Sequence, residues 1–207
     1  MSSPYLDAGR TSQKQRTYDA LTNAARELVA AGRTPTVDDA AALAGVARST
    51  AYRYFPGQRD LLAAAHPETT RRSMLPADAP ADPALRLRAV VEEFTRLIRQ
   101  TEAQQRTMLR LSLEPEPESG LLPLPLRQGR AIGWIEEALE PLRGDISEAG
   151  IHSLALAIRS AIGIEALVWL TDIGHLTREQ AAASMSWSAE ALLDQAIRSG
   201  PPSAALD

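Results

Sequence analysis

Residues 34–62 read TPTVDDAAALAGVARSTAYRYFPGQRDLL, and the order of starts and stops in this stretch decides the fold. Thr36 carries a hydroxyl able to cap a helix, and Asp39 stands at the spacing of a capping box just ahead of an alanine-rich run, so a helix is expected to start at Val37. It can run only about two turns before Gly45, the residue type that tolerates the left-handed conformation needed to reverse the chain sharply. Val46, Ala51 and Phe55 then recur at a spacing of about four residues, which gives a second helix one buried face and leaves Arg48, Ser49, Tyr52 and Arg53 pointing away from it. No acid occurs from Ala47 to Phe55. A helix that enters a DNA major groove needs this mixture: guanidinium to read guanine edges, hydroxyls for bases or phosphates, and nothing that repels the backbone.

A helix pair around a glycine turn also occurs in many helical proteins with a plain solvated face. The ordered set Thr36, Gly45, Val46, Thr50, Tyr52, Tyr54, Phe55 and Leu61 is more particular. With STAYRYFPGQRDLL after the turn, it resembles the DNA-binding domain of the TetR family of bacterial transcriptional regulators, closely over residues 21–62 and more loosely elsewhere. The resemblance implies that Thr36 contacts phosphate, that Arg48, Ser49 and Thr50 face bases, that Tyr52 and Tyr54 grip phosphates, and that Phe55 is core. Two positions depart from the family pattern. Ala47 holds the place of the usual serine at the start of the recognition helix, and Gln58 that of a phosphate-binding lysine, which makes Arg59 the expected substitute.

Composition bounds the alternatives. A chain of 207 residues with 44% hydrophobic content can bury a sizeable core. It has no cysteine, which excludes disulfides, thiol catalysis and cysteine-ligated metal centres, and His66, His152 and His175 lie too far apart in sequence to suggest a metal site. Neither a phosphate-binding glycine loop nor a nucleophile or zinc-hydrolase motif is present, so no enzyme activity and no cofactor are expected. No run of 18 apolar residues is free of charge and the first 30 residues hold no secretion signal, so a cytoplasmic protein without a membrane segment is expected. The net charge is -4, yet residues 1–60 hold eight basic against six acidic residues, which marks the amino-terminal end as the one fit for DNA.

The rest of the chain predicts an all-α protein: a three-helix helix-turn-helix domain over 1–57, a connecting helix over 58–74, and a larger helical ligand-binding and dimerisation domain over 75–207. Residues 1–10 read as a flexible arm, and Tyr18, Leu21, Ala25 and Leu28 form the stripe of a first helix over 13–31. The proline-rich segment 75–83 reads as a loop, as does 114–125, followed by a helix over 126–142. Ser147 opens an expected helix to about Ile173, and Thr177 with Gln180 caps another to Arg198. Their excess of apolar surface, and the resemblance, imply a homodimer through these two helices that binds a palindromic double-stranded DNA operator. The resemblance also implies a small-molecule effector. Candidates for its pocket are Phe94, Met108, Leu111, Trp134, Glu165 and Trp169, although an ion pair from Glu165 to Arg159, or to an arginine of a second subunit, accounts equally simply for an acid in an apolar helix. The competing class is a helical adaptor that binds protein through its long helices.

Overall fold

The computed structural model describes residues 4–65, 71–113 and 129–202, and among them all regular structure is helical. The acidic loop expected over 114–125, and the start of the helix expected at 126, lie largely outside the described residues. The chain divides into two compact units, one holding the described residues of 1–69 and 103–127, the other those of 70–102 and 128–207.

In the first unit α1 spans Pro4–Ala30, α2 Val37–Ala44, α3 Arg48–Tyr54, α4 Gln58–Ala65 and α6 Glu102–Leu113, of which all but Glu102 belongs here. The arm expected over residues 1–10 is helical from Pro4 onward, a position where proline loses no hydrogen bond and presents a preset φ. α1 closes at Gly32, whose φ is 76°, and Arg33 N–H returns to Leu28 O at 3.0 Å. Leu21, Ala25, Val37, Ala41, Ala51, Phe55 and Leu61 make one buried cluster, with the Tyr18 and Phe55 rings 5.2 Å apart. Val29 and Leu62 make a second with Met108 and Leu111 of α6. α6 thus packs with the amino-terminal helices, whereas the sequence reading set everything after residue 75 in the back domain.

The second unit contains α5 (Pro83–Gln100), α7 (Arg130–Ala138) with a 3-10 turn at Glu140–Leu142, α8 (Glu148–Ala161), α9 (Ile164–Val168) and α10 (Arg178–Ser199). Asp82 caps α5 by accepting from Ala84 and Leu85 N–H, with Pro83 in its first turn; residues 75–82 ahead of it are irregular as expected, and residues 71–74, which the sequence reading set in the connecting helix, are irregular as well. Thr177 and Gln180 form a complete capping box on α10. α10 packs on both α5 and α8, and α7 lies against α5 and α8.

The helix expected from Ser147 to Ile173 is broken. Ser147 caps it, but it stops at Ile162, and Gly163 takes φ 113°, ψ -175° before α9 begins. That region of backbone space is essentially open to glycine alone. The Arg159 guanidinium occupies the space beside Gly163, donating to Ile162 O at 2.7 Å and to Glu165 Oε2 at 3.2 Å, and lies over the Phe94 ring. A π-helical turn at Trp169–Ile173 follows. By length and composition the stretch Glu148–Ile173 is apolar enough to cross a membrane, but it carries this break and this ion pair, and α8 buries Ile151, Leu154 and Ile158 against its neighbours.

Gly163→Ala is expected to lower the stability of this unit by about 1–3 kcal/mol, since the backbone strain has no relief and the added methyl meets Arg159. Chemical denaturation followed by the fluorescence of Trp134 and its neighbours measures it.

Candidate nucleic-acid interface

The helix-turn-helix is built from three local devices. Thr36 and Asp39 form a complete capping box: Asp39 N–H donates to the Thr36 hydroxyl at 3.1 Å, and Thr36 N–H donates to Asp39 Oδ2 at 2.9 Å. At the far end Gly45 takes φ 65°, and Val46 N–H reaches back to Ala41 O at 2.9 Å, so α2 ends after eight residues. Phe55 and Ala51 then anchor α3 in the unit's core, which fixes which face of α3 is left outside.

That outer face holds Ala47, Arg48, Ser49, Tyr52 and Arg53, all exposed, with Thr50 and Tyr54 half-buried at its margins. Tyr54 packs against the core cluster and Tyr52 stands clear of it. Ala47 caps α3 without any side-chain hydrogen bond, as expected where the family pattern has serine. The sequence-predicted residues Arg48, Ser49, Thr50, Tyr52 and Tyr54 are therefore brought together on one short helix beside the turn.

Three residues are engaged otherwise than expected. The Thr36 hydroxyl gives its proton to Asp39 Oδ2 at 2.7 Å, so it is spent within the capping box and is not a ready donor to phosphate. Arg59 Nη2 donates to Leu111 O of α6 at 2.6 Å. Gln58 Nε2 donates to Pro35 O at 2.9 Å and Thr34 O at 3.3 Å, which ties the start of α4 to the loop that leads into α2. The position where a phosphate-binding lysine was expected is a structural clamp.

Sequence reasoning missed Asp38. Its carboxylate accepts two hydrogen bonds from Arg48, one of them at 2.7 Å, although α3 itself holds no acid. Its hydrogen bond first, and then its charge, raise the already high pKa of Arg48, so the guanidinium stays charged across the neutral range. The Arg48 side chain nonetheless stays 74% exposed, and an ion pair so placed is weak enough to exchange for a base edge or a phosphate. The only available signal was the ten-residue separation of Asp38 and Arg48 across the glycine turn, which becomes proximity once the turn is tight.

The pocket candidates are divided between the two units. Met108 and Leu111 belong to the core of the first unit. Phe94 and Trp134 pack edge to face in the second, 5.9 Å between centroids, with Trp134 Nε1 donating to Arg72 O. Glu165 pairs with Arg159, and Trp169 is 61% exposed. Among the described residues no group of three or more His, Asp or Glu side chains is placed to hold a metal ion.

Over 92 residues the chain is 37% identical to an HTH-type transcriptional repressor, LfrR, of Mycolicibacterium smegmatis, a match that takes in 42% of this chain. It takes in 47% of that protein, so the chain spans about half the length of the curated relative it matches. No family model matches the chain.

Asp39 is held below the ordinary aspartate value of 3.8, first by the Thr36 backbone N–H and then by the Thr36 hydroxyl, with Arg33 adding to both. The folded state therefore favours the ionised form. The stabilisation is complete above that ordinary value and is lost as pH falls through the lower folded one. Unfolding midpoints measured between neutral and strongly acid pH are expected to fall more steeply below pH 3.8 in the natural protein than in Asp39→Asn.

Proposed function

We propose that this chain is a TetR-type transcriptional repressor that binds a palindromic DNA operator as a homodimer. The observation that carries the proposal is the exposed, acid-free face of α3, set beside a left-handed glycine turn and anchored by Phe55. The partial match to an HTH-type transcriptional repressor supports the same reading. Arg48, Ser49 and Thr50 are assigned to base edges, and Tyr52, Tyr54 and Arg53 to phosphates. Thr36 and Gln58 serve by fixing the start of α2, and Arg59 by holding α4 to α6. On DNA, Arg48 exchanges Asp38 for its target, so Asp38 sets how costly a wrong contact is. A DNA-binding regulator of this kind works in the cytoplasm.

A dimer is supported by the outer face of α8 and α10. Leu156 and Trp187 are large, apolar and exposed, Trp187 to 72%, and Ala157, Ser160, Ala161, Ala191 and Leu192 line a shallow depression beside Trp187. Small residues on one helix and a large ring on the other suit a self-complementary two-fold contact, and a two-fold axis sets two recognition helices about one DNA turn, roughly 34–36 Å, or somewhat more apart. Response to a small-molecule effector belongs to the same proposal and falls to the second unit.

Selection of bound DNA from a random pool is expected to return a short inverted repeat held at about nanomolar affinity, falling steeply with salt. A helical adaptor would return none. On that repeat Arg48→Ala or Tyr52→Ala should weaken binding by about tenfold or more, and retention of full affinity in both would remove α3 from the interface.

The slope of log affinity against log salt separates the two nearby arginines. Arg53→Ala is expected to reduce it by about 1, the mark of one lost phosphate contact, while Arg59→Ala should leave it unchanged and lower stability instead.

A further inference from the structure

Beside the packed interior of the second unit, a cleft of about 600 Å³ runs between α5 and α10. Its walls are two helical stripes: Glu92, Thr95, Arg96 and Arg99 on α5, and Arg178, Ala182 and Ser186 on α10. Three guanidiniums thus converge on one cleft, against one carboxylate in its lining. Ala182 and Ala183, being small, leave the space open where larger residues would have closed the helix contact.

Two of the arginines are held in place from outside the lining. Arg178 donates to both oxygens of Glu102, at 2.6 and 2.9 Å, and Glu102 is only 12% exposed. Arg96 pairs with Glu93, which Arg71 also binds and whose pKa is lowered first by the Arg96 hydrogen bond. Arg99 differs, because its partner Glu179 is 72% exposed and the pair stands in water, where it is readily exchanged. Thr95 stands in the cleft wall, one turn from Arg99. It is 6% exposed, and its hydroxyl has no hydrogen-bond partner among the described residues. A buried hydroxyl left unpaired carries a desolvation cost that a bound acceptor removes.

We infer that this cleft is a binding site for a small organic oxyanion, a carboxylate or a phosphate monoester on a compact apolar body. Its charged group is taken by Arg99 with Thr95, flanked by Arg96 and Arg178, and its body lies along Ala182 and Ala183. A planar guanidinium fork matches either oxyanion, and the alanines with the arginine stems supply the apolar wall. None of the six residues first considered for a pocket lines this cleft. The inference stands on the geometry of the second unit and is independent of DNA binding.

The test uses the full-length protein without DNA, titrated calorimetrically and by thermal shift with benzoate, phenyl phosphate and inorganic phosphate. Saturable binding of benzoate or phenyl phosphate is expected, tighter than that of inorganic phosphate, and the preferred one of the two identifies the charged group. Arg99→Ala should weaken it about tenfold or more, as loss of a hydrogen bond to a charged group does. Ala182→Leu should abolish it by filling the cleft. Thr95→Val, which keeps the shape and removes the hydroxyl, should leave the melting temperature of the unliganded protein unchanged or higher while weakening binding several-fold. Failure of both organic anions to bind at millimolar concentration overturns the site, as does binding that all three variants retain at full strength.

Discussion

The tight reversal at Gly45 is the constraint on which the amino-terminal unit depends. A glycine at φ 65° ends α2 after eight residues and starts α3 at an angle that buries Ala51 and Phe55 together with Val37, Ala41 and Leu21. With so small a core, the orientation of α3 follows from that one backbone conformation and from the ring of Phe55 against Tyr18. The capping box at Thr36 fixes the other end of α2, and the Gln58 amide holds the two carbonyls that precede it. Every residue proposed to touch DNA is exposed or half-buried on the part of α3 that this arrangement leaves outside the core.

In the proposed DNA complex, electrostatics adds selectivity to that geometry. Net charge does little steering here, since the chain carries -4 overall and the first 60 residues only a small basic excess. Local pairing matters more: Asp38 holds Arg48, and an arginine already provided for makes only those new contacts that are better than the one it gives up. In the second unit the same chemistry is used inward. Arg159 occupies the room left by Gly163, neutralises Glu165 and lies over Phe94, so an acid in an apolar stretch becomes part of a packed hinge between α8 and α9.

The stops and starts were readable because they rest on single residues with strong local chemistry. Thr36, Asp39, Gly45, Ser147, Thr177 and Gln180 each do in the structure what their side chains predict in isolation. The break in the long apolar run was not readable. Gly163 sits inside a helical pattern whose periodicity passes through it, and only the guanidinium of Arg159 packed beside it shows why the chain bends there. The division of the pocket candidates between the two units was hidden for a related reason. Aromatic and methionine side chains at helical spacing mark burial but not what they are buried against, and Met108 proved to belong to a different unit from Phe94.

By itself, then, the sequence determined the all-helical class, the short α2 between two caps, and the identity of the residues on the outer face of α3, because these follow from hydrogen-bonding capacity, backbone freedom and apolar period within a few residues. The tertiary structure alone decided the partners of the charged and polar groups. Arg48 with Asp38, Arg59 with Leu111, Gln58 with the loop before α2, Arg159 with Glu165 and the unpaired hydroxyl of Thr95 beside three arginines all depend on which long side chains the packed helices bring within a few ångströms. Such side chains reach well beyond a helical turn, so their contacts are settled only when the helices are in place.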